Sequence, residues 1–208
     1  MQKNGIFITL EGPDGSGKST VAKYVNEYLK SIREKTEFTR EPGGTSIGEE
    51  IREILLDNKN SELSPRTEAL LYASARAQHV EEKIQPLLDD GYIVLSDRYV
   101  LSSLAYQGFS RGLGIDEVMK INEFAMGETY PDLVLFFDVD PEIALGRKYI
   151  NREGDRMENE GAEFHKKTYA GYNSAIEMYP KNITLINANG SIEETVDLCI
   201  KAIDELMK

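Results

Sequence analysis

Residues 8–20 read ITLEGPDGSGKST. Within them, Gly12-Pro13-Asp14-Gly15-Ser16-Gly17-Lys18-Ser19 fits the pattern G-x-x-x-x-G-K-[ST]. A strand-like apolar run, Ile6–Leu10, leads in, and a helical period of Val21, Val25, Leu29 and Ile32 leads out. Strand, small-residue loop and helix in that order are what the motif needs to work. Small residues let backbone N–H groups wrap a phosphate chain without side-chain clashes. A helix starting near Lys18 aims its positive end at the anion. Lys18 adds a mobile charge for the β- and γ-phosphates, and the Ser19 hydroxyl is a ligand for Mg²⁺. Gly12, Pro13, Asp14, Gly15, Ser16, Gly17, Lys18, Ser19 and Thr20 are therefore candidates to hold a nucleoside triphosphate with magnesium. The stretch does not say where the phosphate goes.

Working outward, short apolar runs alternate with helical patterns. Ile6–Leu10, Glu37–Arg40, Tyr92–Ser96, Leu133–Val139 and Ile183–Asn187 read as strands. The last three are continuously apolar rather than alternating, as strands covered on both faces are. Ile47, Ile51, Ile54 and Leu55 share one helical face, as do Ile192, Val196, Cys199, Ile203 and Leu206. Ser191-x-x-Glu194 is a capping-box pattern, and Ser64-Pro65 and Asp140-Pro141 are N-cap and first-turn pairs. This alternation predicts an α/β fold, a parallel sheet with helices on both faces and ligands beyond the strands' carboxyl ends. No repeat or linker interrupts residues 1–208, so one domain is expected.

The 208 residues carry a formal net charge of −12. A chain this acidic does not bind a nucleic acid polymer through a general basic field, so an anionic ligand must find clustered arginine. No apolar run approaches the ~20 residues of a membrane span, no secretory leader is visible, and the lone Cys199 rules out an internal disulfide and suits core packing. A cytoplasmic protein is expected.

Three stretches bear on the acceptor. Thr39-Arg40-Glu41-Pro42-Gly43-Gly44-Thr45 puts an arginine at a strand end before a rigid turn; it reads either as an anion site or as an exposed turn. Tyr72 and Arg76, four apart on a helix beginning near Ser64, share a face. They read either as a base-stacking ring beside a guanidinium or as a surface arginine over a core tyrosine. Ser96-Asp97-Arg98-Tyr99 closes the third strand, where a phosphate-loop protein places a second magnesium-site carboxylate, Asp97. Arg98 would reach a phosphate, and Ser103 and Gln107 carry groups able to read a base edge. His79 and His165 sit in no specific motif and read as helix-surface residues.

TREPGGT after the loop, DRYxxSSLAYQG and an arginine-rich segment after the fourth strand together resemble the thymidylate kinases of the bacterial type, from about Gly5 to Leu206. That resemblance implies a three-layer nucleoside monophosphate kinase fold with a five-stranded parallel sheet and a short mobile lid at about residues 146–160. It implies that the dTMP phosphate is held by Arg40 and Arg98, with Glu41 near the transfer site. It places Tyr72 against thymine, Arg76, Ser103 and Gln107 at base-recognition positions, Tyr106 at the sugar 2′ position and Asp14 at the 3′-hydroxyl. Arg52 matches a residue lining the thymine pocket. Some relatives carry an arginine in the loop beside the acid matching Asp14, where this chain has Gly15. The catalytic arginine is then expected from the lid, among Arg147, Arg152 and Arg156, unless that segment is only a solvated charged helix, as Glu158, Glu160 and Glu163 suggest of their part. The family also implies a homodimer.

The expected reaction is ATP + dTMP → ADP + dTDP. A different nucleoside monophosphate kinase is disfavoured by TREPGGT and SSLAYQG. A GTPase switch is disfavoured because no asparagine-lysine-x-aspartate motif occurs, and a catalytically dead relative because Lys18, Ser19, Asp97 and Arg98 are intact.

Overall fold

The computed structural model describes residues 5–148 and 154–208. Its five strands are β1 (Ile6–Glu11), β2 (Thr36–Arg40), β3 (Ile93–Asp97), β4 (Leu133–Asp138) and β5 (Ile183–Asn187), each within one residue of the expected bounds at either end. All pair in parallel, in the order β2-β3-β1-β4-β5. The chain leaves β1 toward one edge and returns through β3 to build the other. The switch point therefore lies at the carboxyl ends of β1 and β3, where an open parallel sheet leaves a crevice. Register sharpens this: Asp97 stands opposite both Leu10 and Arg40, so three strand ends finish on one line.

The helices are α1 (Lys18–Ile32), α2 (Ser46–Leu56), α3 (Pro65–His79), α4 (Gln85–Asp89), α5 (Val100–Ser103), α6 (Ile115–Met126), α7 (Pro141–Lys148), α8 (Ala162–Met178) and α9 (Ile192–Leu206). One apolar layer joins Ile8, Leu10, Leu95, Leu135 and Phe137 of the sheet to Val21, Val25 and Leu29 of α1 and Cys199 and Ile203 of α9. The other joins Phe7, Val94, Val134 and Phe136 to Leu104, Val118, Met126 and Tyr172. A strand covered on both faces cannot alternate, which is why β1, β3 and β4 read as unbroken apolar runs. β5 departs from that expectation. It is an edge strand in which only Ile186 is buried and Leu185 is 61% exposed. The face expected of α2 also differs: Leu55 is buried, but Ile47 and Ile54 are exposed.

The predicted caps form. Ser64 accepts from Thr67 N with Pro65 in the first turn, and Ser191 and Glu194 close a reciprocal capping box. The helix begun at Ser64 runs on through a π-helical turn, Val80–Ile84, into α4, whose first turn holds Pro86. Proline offers no N–H and crowds the preceding turn, and the widened turn stands just upstream of it. Among the described residues no helix is long and apolar enough to cross a membrane.

Candidate active site

A cleft of about 730 Å³ runs along the carboxyl rim of β1, β2 and β3. At one end is the phosphate loop. Gly12, Gly15 and Gly17 have φ values of 143, 81 and 89°, a region that side chains resist. A Cβ on Gly15 would also run into the carbonyl oxygen of Ala144, so the loop has no room for an arginine there. Lys18 Nζ donates to Gly12 O (2.7 Å), Pro13 O (2.9 Å) and Ser16 Oγ (3.3 Å). Burial, with Arg98 as the next largest influence, pushes Lys18 down to about 8. Gly17 caps α1 without any side-chain acceptor, and the first turn carries no acid. The positive end of α1 is thus left for a ligand.

Ser19 Oγ donates to Asp97 Oδ2 (3.3 Å), while Asp97 Oδ1 is buried with no hydrogen-bond partner. An orphaned carboxylate oxygen beside a hydroxyl suits a hard cation that takes its other oxygens from phosphate and water. No cluster of three or more acidic, histidine or cysteine ligands exists among the described residues.

Arg98 occupies the middle of the cleft on a strained backbone, φ 73°. Three things hold that turn. Arg98 N donates to Leu10 O (2.9 Å) and Ser96 Oγ donates to Arg98 O (2.8 Å). Glu11, buried at the end of β1, accepts from Tyr99 N (2.8 Å), Ser102 N (3.3 Å) and Ser102 Oγ (2.5 Å). Burial pushes the Glu11 carboxyl up to about 6 despite those donors and Arg98. The Arg98 guanidinium donates to Gly12 O (3.1 Å), Ser102 Oγ (3.0 Å) and Tyr172 Oη (2.9 Å), pairs with Asp14, and lies over the Tyr106 ring. Tyr106 Oη in turn donates to Asp14 Oδ2 (3.0 Å).

Beyond Arg98 the cleft is walled by Tyr72, Arg76, Ser103, Tyr106 and Gln107, with Arg40 and Arg52 at its edge. Arg40 pairs with Glu49 (2.9 Å), yet its Nη1 and Arg52 Nη1 both donate to Pro42 O, at 3.0 and 2.9 Å. Two guanidinium groups on one carbonyl oxygen leave surplus positive charge at the rim. Arg76 is buried and saturated by Glu41 (2.7 Å), Ser103 Oγ (3.0 Å) and Asn122 Oδ1. Glu41 lines the cleft, but its carboxylate turns onto Arg76 and His79 Nδ1 (3.1 Å) rather than toward Ser19 and Asp97.

The expected lid arginines separate. Arg147 lines the cleft and donates to Ala188 O (3.0 Å), beyond the phosphate loop on the β5 side. Arg152 lies outside the described residues. Arg156 is buried: its Nε donates to Leu55 O (2.7 Å) and its Nη2 pairs with the buried Glu68 (2.8 Å). Nor is Glu160 merely solvated, since it pairs with Arg111. Both histidines are buried, not surface residues. His79 is fully enclosed between Glu41 and Thr39 Oγ1 (2.7 Å), where the polar turn after β2 needs a partner.

Sequence reasoning missed Glu68, Arg111, Glu11 and Tyr172. Glu68 had a signal: Glu68, Tyr72, Arg76 and His79 fall four, four and three apart, one stripe of α3 turned to the cleft and β2. Glu11 and Tyr172 carry none, because their partners lie 88 and 160 residues away.

The family model described as "Thymidylate kinase" matches residues 10–199. The chain is 52% identical to the thymidylate kinase of Finegoldia magna, over 95% of this chain and 97% of that one. It is 45% identical to that of Bacillus velezensis, over 99% and 98%. The crystal structure of thymidylate kinase from Ehrlichia chaffeensis superposes with a TM-score of 0.79 at 29% identity, covering 96% of this chain and 98% of that one. Similarity of this extent, end to end and in three dimensions, establishes that the chain belongs to the thymidylate kinase family.

Proposed function

We propose that the enzyme transfers the γ-phosphoryl group of ATP to dTMP, giving ADP and dTDP. The observation that carries this reading is one continuous cleft with a phosphate loop at one end, an aromatic and amide wall at the other, and Arg98 between them. The triphosphate lies over Gly12–Thr20, with its base end toward Arg147 and the turn after β5. The acceptor phosphate seats on Arg98 beside Arg40 and Arg52. Its sugar passes between Asp14 and Tyr106, and its base meets Tyr72, Ser103, Arg76 and Gln107.

The acceptor is itself a phosphate with a second pKa near ~6, so its attacking oxygen is anionic at neutral pH and no general base is required. The obstacle is repulsion between two polyanions. Lys18, Arg98, Arg40 and Arg52 offset it and hold the attacking and leaving oxygens in line. Bound through Ser19 and Asp97, Mg²⁺ would add charge neutralisation at the β- and γ-oxygens. Since Gly15 excludes a loop arginine and Arg156 is committed to Glu68, a lid contribution falls to Arg147 or Arg152.

A panel of nucleoside monophosphates with ATP and a product readout tests the reading; dTMP should give the highest kcat/KM. Uracil differs from thymine by one methyl, worth ~1–3 kcal/mol in a pocket, so dUMP should be a real substrate roughly 10–200-fold poorer. Equal values for the two would remove thymine from the proposed pocket.

The enzyme is further proposed to be a cytoplasmic homodimer. Helices α2, α3 and α6 pack side by side and present Ile47, Ile54, Leu70 and Phe124, the last 93% exposed. An apolar face of this kind favours a self-complementary interface. Phe124→Glu is expected to shift sedimentation toward monomer. A wild-type monomer at micromolar concentration would refute the dimer.

A further inference from the structure

Gln107 ends in a carboxamide, a group with a donor end and an acceptor end. Which end faces the cleft decides which base edge it can read. The answer is fixed by Glu68, a residue that touches no part of the proposed nucleotide.

Glu68 is fully buried on α3. Its Oε1 accepts from Gln107 Nε2 (2.9 Å) and Arg111 Nε (3.1 Å). Its Oε2 accepts from Arg111 Nη2 (3.1 Å) and pairs with Arg156 Nη2 (2.8 Å). Burial alone would push this carboxyl up, but the hydrogen bonds and charge of Arg111, Gln107 and Arg156 outweigh it and hold the carboxyl below the ordinary range. An ionised carboxylate only accepts, so Gln107 can offer it nothing but the amide nitrogen. The reverse orientation would set two acceptors against each other in a buried site, at a cost of ~1–3 kcal/mol. The Gln107 carbonyl oxygen is left over, and among the described residues no protein donor takes it up. Gln107 is at the same time part of the cleft wall.

We propose that Glu68 is a positioning residue for base selection: by holding the Gln107 nitrogen it turns the Gln107 oxygen to the acceptor base. The site then accepts a ring that presents N–H at N3, as 2,4-dioxopyrimidines do. It refuses one that presents a lone pair there, as cytosine does. This rests on the proposal that Gln107 reads the base, and it adds what sets its polarity. Arg111 and Arg156 keep Glu68 charged, so the lid segment, through Arg156, contributes to selectivity without reaching the substrate.

The test compares kcat/KM for dTMP and dCMP, with ATP, in the full-length enzyme. Glu68→Gln lets the neighbouring amide flip, and the dTMP-to-dCMP ratio is expected to fall at least about tenfold, the worth of one hydrogen bond. A loss of packing alone would lower both substrates and leave the ratio. The double exchange Glu68→Gln with Gln107→Glu returns an obligate acceptor to the cleft and one negative charge to Arg111 and Arg156, and should restore the ratio. Should Glu68→Gln not fold, Glu68→Asp keeps the charge but withdraws it by one methylene, and the same fall is expected. An unchanged ratio in the folded Glu68 variant overturns the inference. Gln107→Leu separates the two levels. If it collapses the ratio while Glu68 variants do not, only the role of Glu68 fails. If it too leaves the ratio unchanged, the base-reading role of Gln107 has failed.

Discussion

Replacing Arg98 by alanine is expected to lower kcat/KM for dTMP about a thousandfold while leaving a folded protein that still binds ATP. A single donor aimed at developing charge is worth ~10²–10³ in rate, and an arginine on a transferring phosphoryl group more. Arg98 stands where both demands would meet, between the loop proposed for the donor and the wall proposed for the acceptor. Its structural debt is smaller. It would lose the partly exposed pair with Asp14 and hydrogen bonds to Ser102 and Tyr172, roughly 1–3 kcal/mol in all. For a chain of this length that is a drop of several degrees in Tm. The backbone at φ 73° gains nothing from alanine, so relief of strain does not confuse the result. Arg98→Lys should recover only part of the rate, because an ammonium is a point charge and cannot fork between the phosphate and Gly12 O. Kinetics within tenfold of wild type would remove Arg98 from the reaction.

Arg98 also marks what the sequence could and could not say. Its place in the cleft was legible because the residues around it are contiguous: a strand end, then Asp97, Arg98 and Tyr99. The phosphate loop was legible for the same reason, and so was the sheet, since strands covered on both faces announce themselves as unbroken apolar runs. The exceptions have one cause, which is that burial is decided between elements. His79 resembles any polar residue late in a helix until the turn after β2 folds onto it. Glu68 shares a stripe of α3 with Tyr72 and Arg76, yet its burial cannot be read until Arg111 and Arg156 arrive from 43 and 88 residues further along. Arg156 illustrates the converse case. Its place among clustered lid arginines says nothing of its own contacts, which are the Glu68 carboxylate and Leu55 O. Leu185 lies in a run as apolar as its neighbours, but β5 has no strand beyond it.

Lys18→Met is expected to abolish measurable turnover, a loss of about a thousandfold or more, because Lys18 is the one cation that Gly12–Thr20 offers to the β- and γ-phosphates. The free protein stores the lysine in an unfavourable place. Its ammonium is buried against two carbonyl oxygens and a hydroxyl, with no carboxylate among the described residues in direct contact, and burial drags it down to about 8. A triphosphate supplies the missing negative charge and so raises it again. The sign follows from linkage: a group whose proton affinity rises on binding takes up protons as the ligand binds. At pH 8 about half of the free molecules carry a neutral Lys18, so ATP binding should draw in roughly half a proton there. At pH 6.5 the lysine is already charged and its uptake should vanish. Calorimetry of ATP binding in two buffers of different ionisation enthalpy measures this directly, and Lys18→Met, which has no proton to gain, supplies the baseline. If wild type and variant show the same proton balance at pH 8, Lys18 does not meet the phosphates, and the loop must hold its anion by backbone N–H groups and the helix terminus alone.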